Sequence, residues 1–302
     1  MKLLLKAAVS IGLIALIASQ LDLRPVRAAL ERVDAAGLAL GVAIVAIAVA
    51  ALSALRWLVI CRALGVAAGF RRSLELVYVG WFFNQLLPSG VGGDVVRAWR
   101  TRDLGADWES AVHCALLDRM LALAAMIVIV AAGWPIVSAV VPSREAQIAI
   151  GAALAGSILL LGLLLVADRL QPLQRWPALA RMLRISASAR KVLAGRFWLA
   201  AMAVSAATHV ATALCAWVIG RSIGIELAFG AYCVLIPLVL LITMLPVSIG
   251  GWGVREGAMI AVFRLAGVEP SAAFALSLLF GLCFVVGGVP GALLWLRKPV
   301  RE

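Results

Sequence analysis

Two segments of the chain combine a proline, a pair of glycines and an arginine at matching spacing. They run from Pro88 to Arg97 and from Pro246 to Arg255. Proline ends a helix, and paired glycines allow a tight turn and a close approach of two backbones. A helix that starts just after the glycines presents free backbone N–H groups, which bind phosphate well, and the arginine would complete the anion site. The predicted chemistry is recognition of a phosphate, with a plain structural turn as the alternative.

Residues that could support other chemistry lack the necessary pattern. Neither segment has the Gly-Lys-Ser/Thr ending of a nucleotide-binding loop, so ATP binding is not expected. The histidines, His113 and His209, lack the spacing of metal ligands, and the cysteines form no Cys-x-x-Cys pair. We therefore expect no catalytic residue, no metal site and no cofactor, and interpret both histidines as satisfied polar groups inside a helix bundle.

Charged residues lie inside or next to apolar segments, where one charge at the bilayer centre costs about 2.5 to 3.5 kcal/mol. The adjacent residues Asp118 and Arg119 therefore need partners, as do Arg255 and Glu256. Two interpretations remain for Asp94, Arg255 and Glu256. They shape or gate a binding site, or they form ion pairs that only lock the structure.

Two further polar residues have simpler interpretations. Arg56 is close to the end of its apolar segment, so its side chain is expected to reach the membrane surface. Asn84 precedes the first glycine pair and is expected to hydrogen-bond the backbone of that turn, with a lipid headgroup as the alternative partner.

The composition decides what kind of fold can position these residues. Of 302 residues, 64% are hydrophobic and 14% are charged, and the mean hydropathy is +1.07. A water-soluble fold could not bury that much apolar surface. The net charge of +12 is spread over loops that flank apolar segments, where membrane orientation alone places basic residues. Nucleic acid is therefore not an expected partner.

Apolar runs predict an all-α integral membrane protein, a polytopic helical bundle. The predicted spans are residues 3–19, 38–60, 111–133, 147–167, 197–219 and 272–296. The first resembles a signal peptide but lacks a convincing cleavage site, so we expect it to be retained. Residues 74–88 and 231–246 each end in proline before the glycine pair and are predicted to form re-entrant hairpins. The positive-inside rule then places both termini and the basic 168–196 loop in the cytoplasm.

The two motif segments also indicate an internal duplication. Pro246 follows Pro88 at nearly the same interval at which Arg221 follows Arg62. We predict one membrane domain, 1–302, with a first repeat at 38–136 and a second at 196–295; chance similarity among apolar sequences is the alternative. The predicted topology inverts the second repeat, an architecture typical of transporters.

Three motifs together resemble a flippase-like family that shares the transmembrane region of lysylphosphatidylglycerol synthases. They are GWFFNQLLPSGVGGDVVR at 80–97, LDR at 117–119 and PVSIGGWGVREG at 246–257. The resemblance implies a multi-pass protein of the cytoplasmic (inner) membrane that moves, or helps to move, a phospholipid or related lipid between leaflets. The full-length synthases add an aminoacyltransferase domain without a counterpart in these residues, so lysine transfer is not expected.

The predicted site is a lipid-headgroup site. Arg97 and Arg255 are expected to contact the phosphate, while Asp94 and Glu256 shape or gate the site. The full set of predicted substrate-binding residues is Asn84, Gly92, Gly93, Asp94, Arg97, Asp118, Arg119, Gly250, Gly251, Arg255 and Glu256.

The expected partner is a membrane phospholipid or a lipid-linked substrate. A partner enzyme or a second copy of the chain is an open alternative. Net transport would need an ion gradient, a partner protein or a concentration difference between leaflets. The competing interpretations of function are a membrane enzyme, or an accessory subunit of one, that acts on lipid-linked sugars or aminoacyl lipids, and a scaffold without transport.

Overall fold

The computed structural model describes residues 19, 23–87, 92–169, 177–193, 195–244 and 252–297, and these residues are helical apart from short connections. The predicted all-α class is confirmed. The helices of the described residues are α1 (Leu23–Glu31), α2 (Ala35–Ala63), α3 (Phe70–Leu86), α4 (Gly92–Thr101), α5 (Trp108–Ala132), α6 (Trp134–Val140), α7 (Arg144–Val166), α8 (Pro177–Leu193), α9 (Trp198–Ser222), α10 (Phe229–Thr243), α11 (Val254–Leu265) and α12 (Pro270–Leu296).

Five of these helices, α2, α5, α7, α9 and α12, are long and apolar enough to cross a membrane. They coincide with five of the six predicted spans. The sixth, 3–19, lies outside the described residues except for its last position. Strong hydropathy over more than 18 residues made these helices predictable, because a bilayer core requires about 20 apolar residues.

Helices α3 and α4 form an antiparallel hairpin. Arg72 Nη2 lies 3.2 Å from Asp103 Oδ2 at its open end, and the N–H of Gly93 donates to Asn84 Oδ1 at 2.9 Å near its tip. Between Arg72 and Asn84 the helix rises about 18 Å, less than the roughly 30 Å of a bilayer core. These dimensions fit the predicted re-entrant hairpin, whose depth in a membrane stays a prediction. In the second half, α10 and α11 likewise follow each other along the chain and pack against each other.

The helix order of residues 35–132 recurs in residues 198–296. Helix α3 packs against α12, the last helix of the second half, and α10 packs in turn against α5, the last helix of the first half. Helices α2 and α9, which open the two halves, pack against each other. This reciprocal packing is what a duplicated unit would produce. The repeat boundaries and the opposite membrane orientation of the halves stay predictions.

The 168–196 segment, predicted as a loop of amphipathic character, contains helix α8, so the loop assignment was wrong while the amphipathic pattern agrees with the structure. Its buried residues Ser186, Ala189 and Val192 recur at helical spacing. Arg184 of α8 contacts Glu109 of α5 through two hydrogen bonds of 2.6 and 3.0 Å. These bonds raise the pKa of the Arg184 guanidinium above its ordinary value. An amphipathic helix therefore connects α7 to the second half.

Helix α12 carries glycines where other helices approach it. A Cβ atom at Gly291 would overlap the carbonyl oxygen of Tyr78 on α3. A Cβ atom at Gly288 would lie 3.7 Å from the backbone nitrogen of Phe82, which is also on α3. At Gly281, a Cβ atom would overlap the guanidinium of Arg255 on α11. The missing side chains allow α12 to contact both hairpins closely.

Candidate functional site

Three helices bring five charged residues together between the first hairpin and its neighbours. Helix α2 contributes Arg56, α4 contributes Asp94 and Arg97 from one face of a single helical turn, and α5 contributes Asp118 and Arg119. We call these five residues the first cluster. Arg56, Arg97 and Asp118 are buried, at 7%, 4% and 5% exposure.

Asp118 lies between two arginines. Arg56 Nε donates to its Oδ1 at 2.6 Å, and Arg97 Nη2 donates to its Oδ2 at 2.7 Å. Both carboxylate oxygens are therefore engaged in charge-assisted bonds, which are the strong class of protein hydrogen bonds. The predicted need of Asp118 for partners is confirmed, and the partners come from α2 and α4.

Asp94 extends the network to the remaining arginine. Arg119 Nε donates to Asp94 Oδ2 at 2.5 Å, and Arg97 Nη2 lies 3.6 Å from Asp94 Oδ1. The guanidinium carbon of Arg97 also lies 4.0 Å from the ring centroid of Trp57, a cation–π contact. Arg97 is thus held between two carboxylates and an aromatic ring.

The first cluster has more positive than negative charge. It contains three guanidinium groups and two carboxylates. Among the residues that the structure describes, two of its buried donor atoms, Arg56 Nη1 and Arg97 Nε, have no hydrogen-bond partner. Buried donors are nearly always satisfied in folded proteins, so two of them in one cationic cluster require an explanation. An anion of one negative charge would balance the cluster and offer oxygen acceptors to both atoms.

The backbone beside the first cluster depends on glycine. A Cβ atom at Gly93 would overlap the carbonyl oxygen of Gly80 and lie 2.7 Å from Asn84 Cγ. A Cβ atom at Gly92 would lie 2.5 Å from Leu87 Cδ1. The predicted bond from Asn84 to the backbone of the turn is confirmed by its contact with Gly93. The glycine pair therefore allows α4 to lie directly on α3.

Arg255 and Glu256, called here the second pair, have a different environment. Arg255 Nη2 donates to Glu256 Oε1 at 2.8 Å. The hydroxyl of Ser277 on α12 donates to the same oxygen at 3.0 Å and accepts from Arg255 Nε at 3.2 Å. The guanidinium carbon of Arg255 lies 4.3 Å from the ring centroid of Trp252. One cation and one anion balance each other here.

Glu256 also fixes the start of α11. Its carboxylate accepts a hydrogen bond from the backbone N–H of Gly253, a side-chain cap of the helix. Gly253 has a φ of 87°, a left-handed conformation that favours glycine. Glu256 is fully buried, at 0% exposure. The ion-pair interpretation of Arg255 and Glu256 thus agrees with their geometry.

The structure brings together most of the predicted site. The residues assembled in and beside the first cluster are Asn84, Gly92, Gly93, Asp94, Arg97, Asp118 and Arg119. Arg255 and Glu256 form the second pair on α11. Gly250 and Gly251 lie outside the described residues, as do Pro88 and Pro246. A single headgroup site lined by both Arg97 and Arg255 stays a prediction.

Arg56 is the residue that sequence reasoning placed wrongly. Its side chain is not on the surface of the bundle but is 7% exposed and ion-paired with Asp118. Helix α2 continues to Ala63, so Arg56 lies about two turns inside its helix. The sequence contained a signal: Asp118 sits deep in an apolar span, and a second buried cation was the simplest way to stabilise it.

Comparison with known proteins supports the motif-based assignment. The model of the family described as the lysylphosphatidylglycerol synthase TM region matches residues 3–291, nearly the whole chain. A search of curated proteins found no match, and neither did a search of solved structures. The family match includes the first cluster, the second pair and both hairpins.

Proposed function

The chain belongs to the lysylphosphatidylglycerol synthase TM region family, and from this premise we propose that it moves an anionic phospholipid between the leaflets of the cytoplasmic membrane. Membership identifies a multi-pass membrane protein of a family connected with lipid biosynthesis or translocation. The transport activity, the lipid class and the cytoplasmic placement of both termini belong to the proposal.

The observation that carries the proposal is the excess positive charge of the first cluster, together with its two unpartnered donors. A phosphodiester headgroup carries one negative charge and two acceptor oxygens. Arg56 Nη1 and Arg97 Nε are the donors for these oxygens. Asp94 and Asp118 orient the arginines and offset the repulsion between their guanidinium groups when no lipid is bound. The second pair, already balanced, positions the second hairpin.

The first hairpin suits a site that a lipid enters from the side. Its helices are shorter than a bilayer core, and its glycines let α4 pack directly on α3 beside the first cluster. A headgroup could then occupy the bundle while its acyl chains stay among the lipid. Re-entrant helices near a central site are a recurring feature of transporters.

The test removes the excess charge without leaving a carboxylate unpaired. In Arg56→Met, two arginines and two carboxylates remain, so Asp118 keeps its bond to Arg97. Arg62→Met is the matched control, because Arg62 lies on the same helix and is exposed. Purified protein is placed in liposomes containing fluorescent phosphatidylglycerol, and transfer between leaflets is measured by chemical quenching of the outer leaflet.

Arg56→Met is expected to lower the transfer rate about tenfold, equivalent to one lost charge-assisted contact, while Arg62→Met keeps the wild-type rate. Arg56→Lys, which keeps the charge but not the planar fork, should fall between them. A thermal melt of each variant shows whether the fold is retained. Wild-type transfer no faster than in empty vesicles, for phosphatidylglycerol and other anionic phospholipids alike, would rule out the proposal.

A further inference from the structure

A buried histidine from the second half lies against the first cluster. His209 of α9 is 7% exposed, and its Nε2 lies 3.1 Å from the carbonyl oxygen of Ala122 on α5. Ala122 is one helical turn beyond Asp118 on the same helix. Among the described residues, two charged groups interact with the imidazole ring: Arg56 from α2 and Asp118 from α5. Helices α10 and α12, which also pack against α9, carry no charged side chain. Helix α8 packs against α9 as well and carries the basic residues Arg184, Arg190 and Lys191, which are not among the charges acting on the ring.

The geometry determines which ring nitrogen can accept a proton. A carbonyl oxygen only accepts hydrogen bonds, so Nε2 carries the hydrogen that it donates to Ala122. The other nitrogen, Nδ1, then carries the lone pair, and it is buried without a hydrogen-bond partner in the described part of the chain. A neutral imidazole with a free lone pair is a proton acceptor that the described structure leaves unused.

The surroundings of His209 along α9 are polar as well. Ser205, Thr208 and Thr212 lie on the same buried side of the helix, at 0%, 5% and 4% exposure. Each hydroxyl donates to a backbone carbonyl one turn earlier, at 2.7 or 2.8 Å. Each oxygen therefore keeps lone pairs that can accept from a neighbour. Polar side chains buried within a membrane protein are typical of ion or proton pathways and rarely face the lipid.

We infer that His209 is a proton-binding site coupled to the anion site of the first cluster, so that one proton is carried together with each anionic lipid. This inference rests on the function proposed above. A proton binds the lone pair of Nδ1 on one side of the membrane and leaves it on the other. No bond other than N–H forms or breaks, and the gradient of protons supplies the free energy.

The sign of the coupling follows from the charges. Without lipid, protonation of His209 adds a second excess positive charge beside Arg56, which is unfavourable. With a phosphodiester bound, the cluster is neutral, and the same proton meets less repulsion. Lipid binding therefore favours protonation, and by reciprocity acidic conditions favour lipid binding. For one coupled proton, the affinity for anionic lipid changes by at most about tenfold per pH unit.

The two histidines of the chain provide a matched pair of variants. His209→Gln removes the proton site and keeps a donor for Ala122. His113→Gln alters the other histidine, whose Nδ1 lies 3.0 Å from Ser188 Oγ on α8, apart from the first cluster. Liposomes with fluorescent phosphatidylglycerol in the outer leaflet are given an acidic exterior, an acidic interior or no gradient. Proton uptake on addition of short-chain phosphatidylglycerol to purified protein is followed with a pH-indicator dye.

An acidic exterior should accelerate inward transfer several-fold in the wild type and in His113→Gln, and not in His209→Gln. Proton uptake on lipid addition should be lost only in His209→Gln. Transfer that ignores the gradient in the wild type, or an acceleration retained in His209→Gln, overturns the coupling while leaving the proposed function intact. Absence of transfer in every vesicle, with or without a gradient, overturns both.

Discussion

Arg97 and Arg255 hold corresponding places in the two motif segments, and each stacks over a tryptophan, but their ionic surroundings differ. Arg97 belongs to a network of three arginines and two carboxylates, in which two buried donors lack a partner among the described residues. Arg255 faces one carboxylate and one hydroxyl. Corresponding positions of the two segments are therefore suited to different roles. An unbalanced network is suited to receive a ligand, and a balanced pair is suited to hold a helix in place.

Removing a partner of the buried arginines should cost most stability when the partner is the carboxylate from α5, and less when it is the hydroxyl from α12. Asp118→Ala leaves Arg56 and Arg97 without their shared carboxylate, and the free energy of unfolding should fall by about 3 to 5 kcal/mol. Ser277→Ala removes one neutral hydroxyl from the second pair and should cost about 1 kcal/mol. Equilibrium unfolding in detergent measures both. Equal losses in the free energy of unfolding would show that Ser277 and Asp118 stabilise their arginines to the same extent, which contradicts the comparison.

Replacing an arginine should destabilise the second pair more than the first cluster, the reverse of the order expected for their partners. Arg255→Met leaves the buried carboxylate of Glu256 without a cation, and we expect a loss of about 3 kcal/mol. Arg56→Met leaves the first cluster balanced, so its loss should be about 1 kcal/mol. The same unfolding measurement tests this. A larger loss for Arg56→Met would contradict the assignment of excess charge to the first cluster.

The spacing between α3 and α4 gives a smaller but specific effect. In Gly93→Ala the new methyl group meets the carbonyl of Gly80, and we expect a loss of about 1 to 3 kcal/mol from overpacking. Gly156→Ala, on α7, is the matched control because a Cβ atom there meets nothing within 4 Å. The control should be neutral or stabilising by up to about 1 kcal/mol. Similar losses in both variants would refute the close contact.

The smallest effect concerns the two helix starts. Asn84→Ala removes the side chain that caps Gly93 from the preceding helix, which should cost about 0.5 to 1.5 kcal/mol. In the second half the cap comes from Glu256, within α11 itself. Hydrogen exchange of the first turn of α4 should increase in Asn84→Ala, while that of α11 stays unchanged. Unchanged exchange in α4 would mean that Asn84 is not a cap.

Sequence reasoning located the helices better than the contacts between them. Apolar length alone placed five spans, because the bilayer imposes one length on every crossing helix. Sequence reasoning also identified Asn84 as a backbone partner, because a re-entrant hairpin leaves backbone groups that must be hydrogen-bonded inside the protein. The helix α8 was missed because its basic residues suggested a loop, although its apolar positions recur at helical spacing.

The site was predicted in part. Asp94, Arg97, Asp118 and Arg119 were identified from motifs, but their pairing was not, because it depends on how three distant helices meet. Arg56 was missed for the same reason, since its partner lies 62 positions away. His209 was interpreted as a satisfied polar group. Its Nε2 does have a partner, the carbonyl oxygen of Ala122 on α5, but its Nδ1 has none among the described residues.

The glycines of α12 have a mechanical consequence. Side chains that interlock between two helices resist sliding, because each must leave its groove before the helices can shift. At Gly288 and Gly291, α12 offers α3 a surface without such projections, and at Gly281 it offers the same to Arg255. Along the same contact, however, Phe284 and Trp295 of α12 meet Trp81 and Phe83 of α3. Close backbone contact at the glycines therefore alternates with interlocked rings, which resist sliding and fix the register of α3 on α12.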